Sequence, residues 1–243
     1  MIYSTWFAQW YPAEPTPTNV ADVRWRRVSG IVSNCVPTAD DFLPPGGQTL
    51  RQAFEALVIT LNERGIRYAI IGGLAIIQHT RVRTTDDIDV LLTLQQAAIP
   101  GLFEALGKRG FSIDLQKNIR EFCEGGLTTI EYAEVIVDLM QPVLPAYAHV
   151  LDRVICADIL GHRVWISSAE GLVVMKLISM RPQDEADVQD LVAAYGASLD
   201  LDFIRAELET FAKPGDARRA KFETWVETWA GRKLLDEDGQ VMG

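Results

Sequence analysis

The stretch that most constrains this chain runs from Tyr68 to Leu92. A short apolar run, Tyr68 to Ile71, ends on Gly72-Gly73 and is followed by the apolar segment Leu74-Ala75-Ile76-Ile77. A second apolar run then carries two carboxylates, Asp87-Ile88-Asp89-Val90-Leu91-Leu92. Strand periodicity sets Asp87 and Asp89 on one face and turns Ile88 into the core. Glycines between a buried strand and a helix let the backbone come close to a bound group, and the helix N-terminus offers free N–H donors to phosphate. Two adjacent carboxylates repel each other unless a cation sits between them; magnesium binds through a few carboxylates plus substrate phosphates. A lone Asp-x-Asp also caps turns and decorates surfaces. The informative signal is the order strand, Gly-Gly, helix, Arg83-x-Thr85-x-Asp87-x-Asp89, apolar strand.

Around this stretch the pattern predicts an α+β body with a mixed sheet flanked by helices, then a helical C-terminal region. Leu50, Phe54, Leu57, Val58 and Leu61 recur at three- and four-residue steps, one face of a helix ending at Gly65. Ala97 to Lys108 reads as another helix, with Gly110 as its left-handed stop. Strands are expected at 111–115, 119–123 and 135–140, a short helix after Pro142 and Pro145, and strands near 154–159 and 164–166 about a Gly161 turn. Helices follow at 168–180, 184–195, 201–213 and 217–233, with Phe222, Trp225, Val226 and Trp229 at core spacing in the last. Residues 1–47 hold six of the prolines and no sustained period, so they read as an arm, disordered or draped on a surface, or as an upstream mis-start. The division expected is an arm over 1–47, a core domain over 48–196 and a helical extension over 197–243.

Composition narrows the function classes. The net charge of −10 argues against a protein that grips long nucleic acid through phosphate contacts, although local basic patches can override the mean. Cys35, Cys123 and Cys156 are odd in number and have no Cys-x-x-Cys spacing, so neither a disulfide framework nor a zinc site is expected; a reducing cytoplasm is the default. No apolar run reaches the length of a membrane span, and the first residues lack the features of a signal peptide. Neither a Gly-x-Ser-x-Gly elbow nor a Walker P-loop occurs.

Gly72-Gly73-Leu74-Ala75 through Leu92 resembles the signature of the nucleotidyltransferase superfamily, the polymerase-beta-like fold, and within it the AbiEii-like group of bacterial abortive-infection and toxin proteins. The resemblance covers about residues 50–195. It implies a magnesium- or manganese-dependent transfer of a nucleoside monophosphate from an NTP to a hydroxyl on RNA, a small molecule or a protein. A role as the toxin of a toxin–antitoxin or phage-defence system, with a cognate antitoxin, comes with the same group. Asp87 and Asp89 match its metal pair, Gly72 and Gly73 its phosphate turn, and His79, Arg83 and Thr85 fill further motif places. The fold implies a third carboxylate on a neighbouring strand. Asp138, inside Val135-Ile136-Val137-Asp138-Leu139, fits that place, because a carboxylate in an apolar run is costly to bury unpartnered; Glu134 takes it if the register is shifted. A strand-end Asp meeting water is the ordinary alternative.

Ser168 to Lys176 and Arg181 to Asp187 resemble a later element of the group, with Gln183 where a Lys is usual. Lys176 either snorkels out of an apolar helix or neutralises the triphosphate, and the resemblance favours the second. Asp184 and Asp187 read as caps and surface partners, with only the resemblance raising Asp187 to a candidate ligand, and His79 reads as a satisfied structural residue. Two rival readings stand beside the enzyme: a catalytically degenerate binding or antitoxin module, to which Gln183 points, and a glycosyltransferase using Asp-x-Asp. The second wants a longer parallel α/β segment before Asp87 than this chain provides.

Overall fold

A computed structural model describes residues 47–80 and 85–230. Residues 1–46 of the expected arm and Arg83 lie outside the described residues, and Gly47, placed in the arm, opens the first helix. The element order is α1 (Gly47–Glu63), β1 (Arg67–Ile71), α2 (Gly72–His79), β2 (Asp87–Thr93), α3 (Ile99–Lys108) and α4 (Leu115–Gly125). It continues with β3 (Leu127–Tyr132), β4 (Val135–Met140), α5 (Pro145–Asp152), β5 (Val154–Ile159) and β6 (His162–Ser167). Helices α6 (Ala169–Ser179), α7 (Pro182–Tyr195), α8 (Leu201–Phe211) and α9 (Ala217–Trp225) complete it, the last running into a π turn.

The strands of the described residues form one six-stranded sheet in the order β3-β4-β2-β1-β6-β5. Pairing alternates between antiparallel (β3/β4, β2/β1, β6/β5) and parallel (β4/β2, β1/β6), so the α+β expectation of a mixed sheet holds. Period-two alternation splits the apolar residues between two cores. Tyr68, Ile70, Ile88, Val90 and Leu92 face the core made with α1, α3 and α4. Ala69, Ile71 and Leu91 face the core made with α2, α5, α6 and α7, to which α8 and α9 add Ile204, Leu208, Phe222 and Trp225. A strand buried on both faces reads as a continuous apolar run, which is why β1 and the later part of β2 look as they do.

Two strands expected from sequence are absent where they were placed. Residues 119–123 belong to α4, and at 111–115 a single bridge joins Ser112 to Glu131. Asp114 starts α4 as its N-cap, accepting from the Lys117 N–H at 3.0 Å, and Gly126 stops it at φ +71°. Asn118 and Phe122, four residues apart, are its buried face. The strand in this region is β3, which immediately follows Gly126.

Candidate active site

The site is assembled where β1, β2 and β4 lie side by side. Ile71 pairs with Asp89 across β1/β2, and Asp89 pairs with Asp138 across β2/β4. On β3, Thr129 pairs with Asp138. Asp89, Asp138 and Thr129 therefore stand in one row on one face of three adjoining strands. Asp87 stands on the same face two residues along. That face is the side of the second core, but the row lies at its margin: Asp87 is exposed, and Asp89 and Asp138 are half-buried.

Gly72 ties this row to a helix start. Its φ of +60° is left-handed, and a Cβ there would overlap the Asp89 carboxylate. Glycine is therefore required twice, once by the backbone angle and once by space. The result is that the first turn of α2, whose N-cap Ile71 makes no side-chain capping bond, starts against Asp89. Gly73 is buried in that turn.

Hydroxyl groups hold the outer two carboxylates. Thr85 Oγ1 donates to Asp87 Oδ1 and Thr129 Oγ1 donates to Asp138 Oδ1, each at 2.6 Å. Asp89 is the electrostatically loaded member. Burial, then the charges of Asp87 and Asp138, push its pKa up to about 6, against partial relief from Lys176 and Arg181.

Lys176 reaches this site as charge rather than as an exposed ammonium. Its Nζ lies 2.8 Å from Asp184 Oδ1 and 2.8 Å from Asp187 Oδ2, and its side chain is 10% exposed. Asp184 is buried and also accepts from Ser179 Oγ, the Arg181 N–H and the Arg181 guanidinium. Although burial alone would raise it, those donors hold the Asp184 carboxyl well below the usual carboxylate range. Asp184 and Asp187 are thus buried partners of a lysine, not surface residues. Arg181 is the cation this network presents outward, with a side chain 72% exposed. Its place is set by the tight α6–α7 elbow: Met180 at φ +49°, Arg181 as N-cap, and Pro182 at the first helical position.

His79 stands apart as a structural residue. Its Nε2–H donates to the Ser167 carbonyl at 2.8 Å, which leaves Nδ1 to accept from the Tyr195 hydroxyl at 2.6 Å. Burial lowers its pKa, so the imidazole is kept neutral. Sequence reasoning did not find Thr129, hidden by the misplaced strand, or the outward role of Arg181, which showed only as the first residue of the later motif element.

The profile of the family described as nucleotidyltransferase of unknown function (DUF6036) matches residues 48–230. The chain belongs to this family. Its class of reaction is therefore nucleotidyl transfer. No curated protein sequence matches this nucleotidyltransferase. Among solved structures it is similar to ANT(2'')-Ia in complex with adenylyl-2''-tobramycin, at 16% identity and TM-score 0.47, covering 72% of this chain and 99% of that one. A solution structure of the antibiotic-resistance factor ANT(2'')-Ia is similar at 15% identity and TM-score 0.44, covering 74% and 98%. An antigenic nucleotidyltransferase-like protein from Paracoccidioides brasiliensis is similar at 16% and 0.41, covering 73% and 92%. At such identities the likeness is one of fold alone.

The side chains of the carboxylate row fit a hard, oxygen-bound divalent ion. Among the described residues no three or more His, Cys, Asp or Glu side chains are already gathered closely enough to hold a metal ion by themselves. A row on adjoining strands, with a helix start beside it, suits an ion that takes further oxygens from phosphate and water. No helix of the described residues is long and apolar enough to cross a membrane.

Proposed function

We propose that Asp87, Asp89 and Asp138 are the metal-binding and catalytic carboxylates of a magnesium- or manganese-dependent transfer of NMP from an NTP to a hydroxyl acceptor. The observation that carries this reading is the in-register row of carboxylates against the start of α2, with Asp89 held at an electrostatic cost that a cation would relieve. A bound divalent ion would offset the charge on the phosphates and on the row.

The chain's own groups do the rest. Backbone N–H groups at Gly72 and Gly73 cradle phosphate oxygens at the head of α2. Arg181, fixed by Asp184, offsets phosphate charge. Thr85 and Thr129 aim the Asp87 and Asp138 carboxylates. Asp138 takes the proton of the acceptor hydroxyl as its oxygen bonds to the α-phosphorus. The bond from that phosphorus to the bridging oxygen breaks, and pyrophosphate leaves with the electron pair. Lys176 supports the row from behind as a positioning residue, stabilising ionised Asp89 while anchored to Asp184 and Asp187. Arg83, ahead of the row in sequence, serves as a further phosphate contact. The motif likeness to the AbiEii-like group supports action as a toxin in a toxin–antitoxin or phage-defence system in the cytoplasm.

The test is incubation of the full chain with each α-labelled NTP, magnesium, and fractions of cellular RNA, protein and small molecules. Label should appear in one fraction, and Asp89→Asn should abolish it. No transfer from any NTP, together with no metal-dependent NTP binding by calorimetry, would remove the reading.

A further inference from the structure

The two edges of the sheet, β3 and β5, differ. At β3 the Glu131 carbonyl accepts from the Ser112 N–H at 2.7 Å, and the Thr129 carbonyl from Asn118 Nδ2 at 3.1 Å, so the chain ahead of β3 closes that edge. β5 and β6 form a hairpin about Leu160 and Gly161, both at positive φ, with Ile159 in register with His162 across the turn. A two-residue turn makes its flanking pair a hydrogen-bonded one, and such pairs recur at every second residue. Ile159, Ala157 and Ile155 therefore bond to β6, while Val154, Cys156 and Asp158 turn their N–H and C=O groups away from the sheet. Among the described residues nothing bonds to the backbone at those three outward positions.

Native sheets blunt an open edge with proline, lysine, a bulge or a covering segment. β5, Val-Ile-Cys-Ala-Asp-Ile, has neither proline nor lysine, and its register with β6 runs without a bulge from Val154 to Ile159. Val154, Ile155, Cys156 and Ala157 are half-buried, and only Asp158 is exposed. Ile155 and Ala157 pack on the first core and Val154 on the second, so both apolar layers run out to this edge. An unblunted edge of this kind is a template for another strand.

The strand fits a second copy of itself. Paired antiparallel about an axis at Cys156, it sets Val154 against Asp158, Ile155 against Ala157, and Cys156 against its twin. The three outward positions then meet one another as hydrogen-bonded pairs, each exchanging both bonds. The two Asp158 carboxylates stand at opposite ends of the pairing, roughly 13 Å apart along the strands. Moving the axis to Ala157 would halve that separation. Asp158 is also in register with Arg163 on β6, so the edge is locally balanced in a chain of net charge −10.

We infer that β5 is the interface of a twofold dimer, in which two copies of this chain join their sheets into one. The contact is isologous, the same strand serving both sides, and it closes on itself without leaving a further edge to extend. The axis runs perpendicular to the joined sheet, so both carboxylate rows lie on the same face. At strand spacing they are roughly 35–45 Å apart, and neither touches the interface. The inference therefore stands independently of the nucleotidyl-transfer reading.

Sedimentation velocity of the full chain at micromolar concentration should give twice the 27.0 kDa of one chain. Cys156→Lys sets two ammonium groups opposite each other on the axis and should weaken the dimer more than about tenfold. The paired Cys156 residues would have Cα atoms about 5.5 Å apart, within reach of a disulfide. In a chain carrying Cys35→Ser and Cys123→Ser, diamide should oxidise the two Cys156 thiols to one intersubunit disulfide, the reagent taking up the two electrons and two protons. That measurement leaves β5 unchanged, so it decides the matter even where the lysine variant fails to fold. Amide exchange at Val154, Cys156 and Asp158 should slow as protein concentration rises. A monomer throughout the micromolar range, a dimer that survives Cys156→Lys, or a dimer that diamide does not crosslink overturns the inference. Protection of those amides that is independent of concentration also overturns it, by placing another segment of the same chain on the edge.

Discussion

Replacing Asp89 by Asn should make the metal-free protein more stable while destroying its activity. The ionised Asp89 carboxylate is disfavoured first by burial and then by Asp87 and Asp138, which raise its pKa from 3.8 to about 6. A rise of that size corresponds to about 3 kcal/mol between the charged forms in the folded and unfolded chain. Asn keeps the shape beside Gly72 and removes the charge, at the loss of attraction from Lys176 and Arg181. A gain of about 1–3 kcal/mol is expected, or roughly 2–10 °C in midpoint for a domain of this size. Because the folded-state pKa lies above the unfolded one, the penalty is full above about pH 6 and fades as pH falls from there towards 3.8. Thermal melts of both proteins in EDTA should therefore diverge most at pH 8, differ by about half as much at pH 5, and converge only near pH 4. With magnesium and NTP added at pH 8, only the wild type should gain further. A variant no more stable than wild type at pH 8, or a difference independent of pH, refutes the electrostatic account of the row.

Lys176→Met should be strongly destabilising, by about 3–5 kcal/mol, because it strands the buried carboxylates of Asp184 and Asp187; urea denaturation measures this, and a loss below about 1 kcal/mol would contradict the buried network. Thr129→Val should leave the melting midpoint within a few degrees, as the side chain is exposed, yet lower kcat roughly threefold to tenfold through the lost bond to Asp138, with Thr129→Ser restoring it. His79, held neutral by burial, has a folded-state pKa below its unfolded value, so its contribution is complete above about pH 6.5 and declines below it, at up to about 1.4 kcal/mol per pH unit. His79→Gln, compared with wild type in an Asp89→Asn background, should flatten the acid side of the stability curve.

What could be read from residues alone follows from how local each signal is. Asp87 and Asp89 announce themselves because two charges at strand spacing interrupt an apolar run, and the glycine pair sits one strand earlier in the same short stretch. Asp138 shows for the same reason, since Val135, Val137 and Leu139 mark its strand and leave it on the opposite face. Thr129 was invisible because its visibility depends on β3, and the Ile119–Cys123 segment competes for that strand. The competition is settled by the Asp114 cap and by Asn118, which bonds across to β3 at Thr128 and Thr129. Lys176 was legible as an anomaly, one charge on an apolar helix, but its partners were not. They sit on the next helix, and only the left-handed Met180 and the Pro182 start fold that helix back so that Asp184 and Asp187, three apart on one face, close over the ammonium. A charge on an apolar helix reports that a partner exists, and the turn that follows it decides whether the partner is a bound phosphate or the protein itself. Here the elbow delivers the carboxylates to Lys176 and leaves Arg181, locked by the same Asp184, as the cation facing outward.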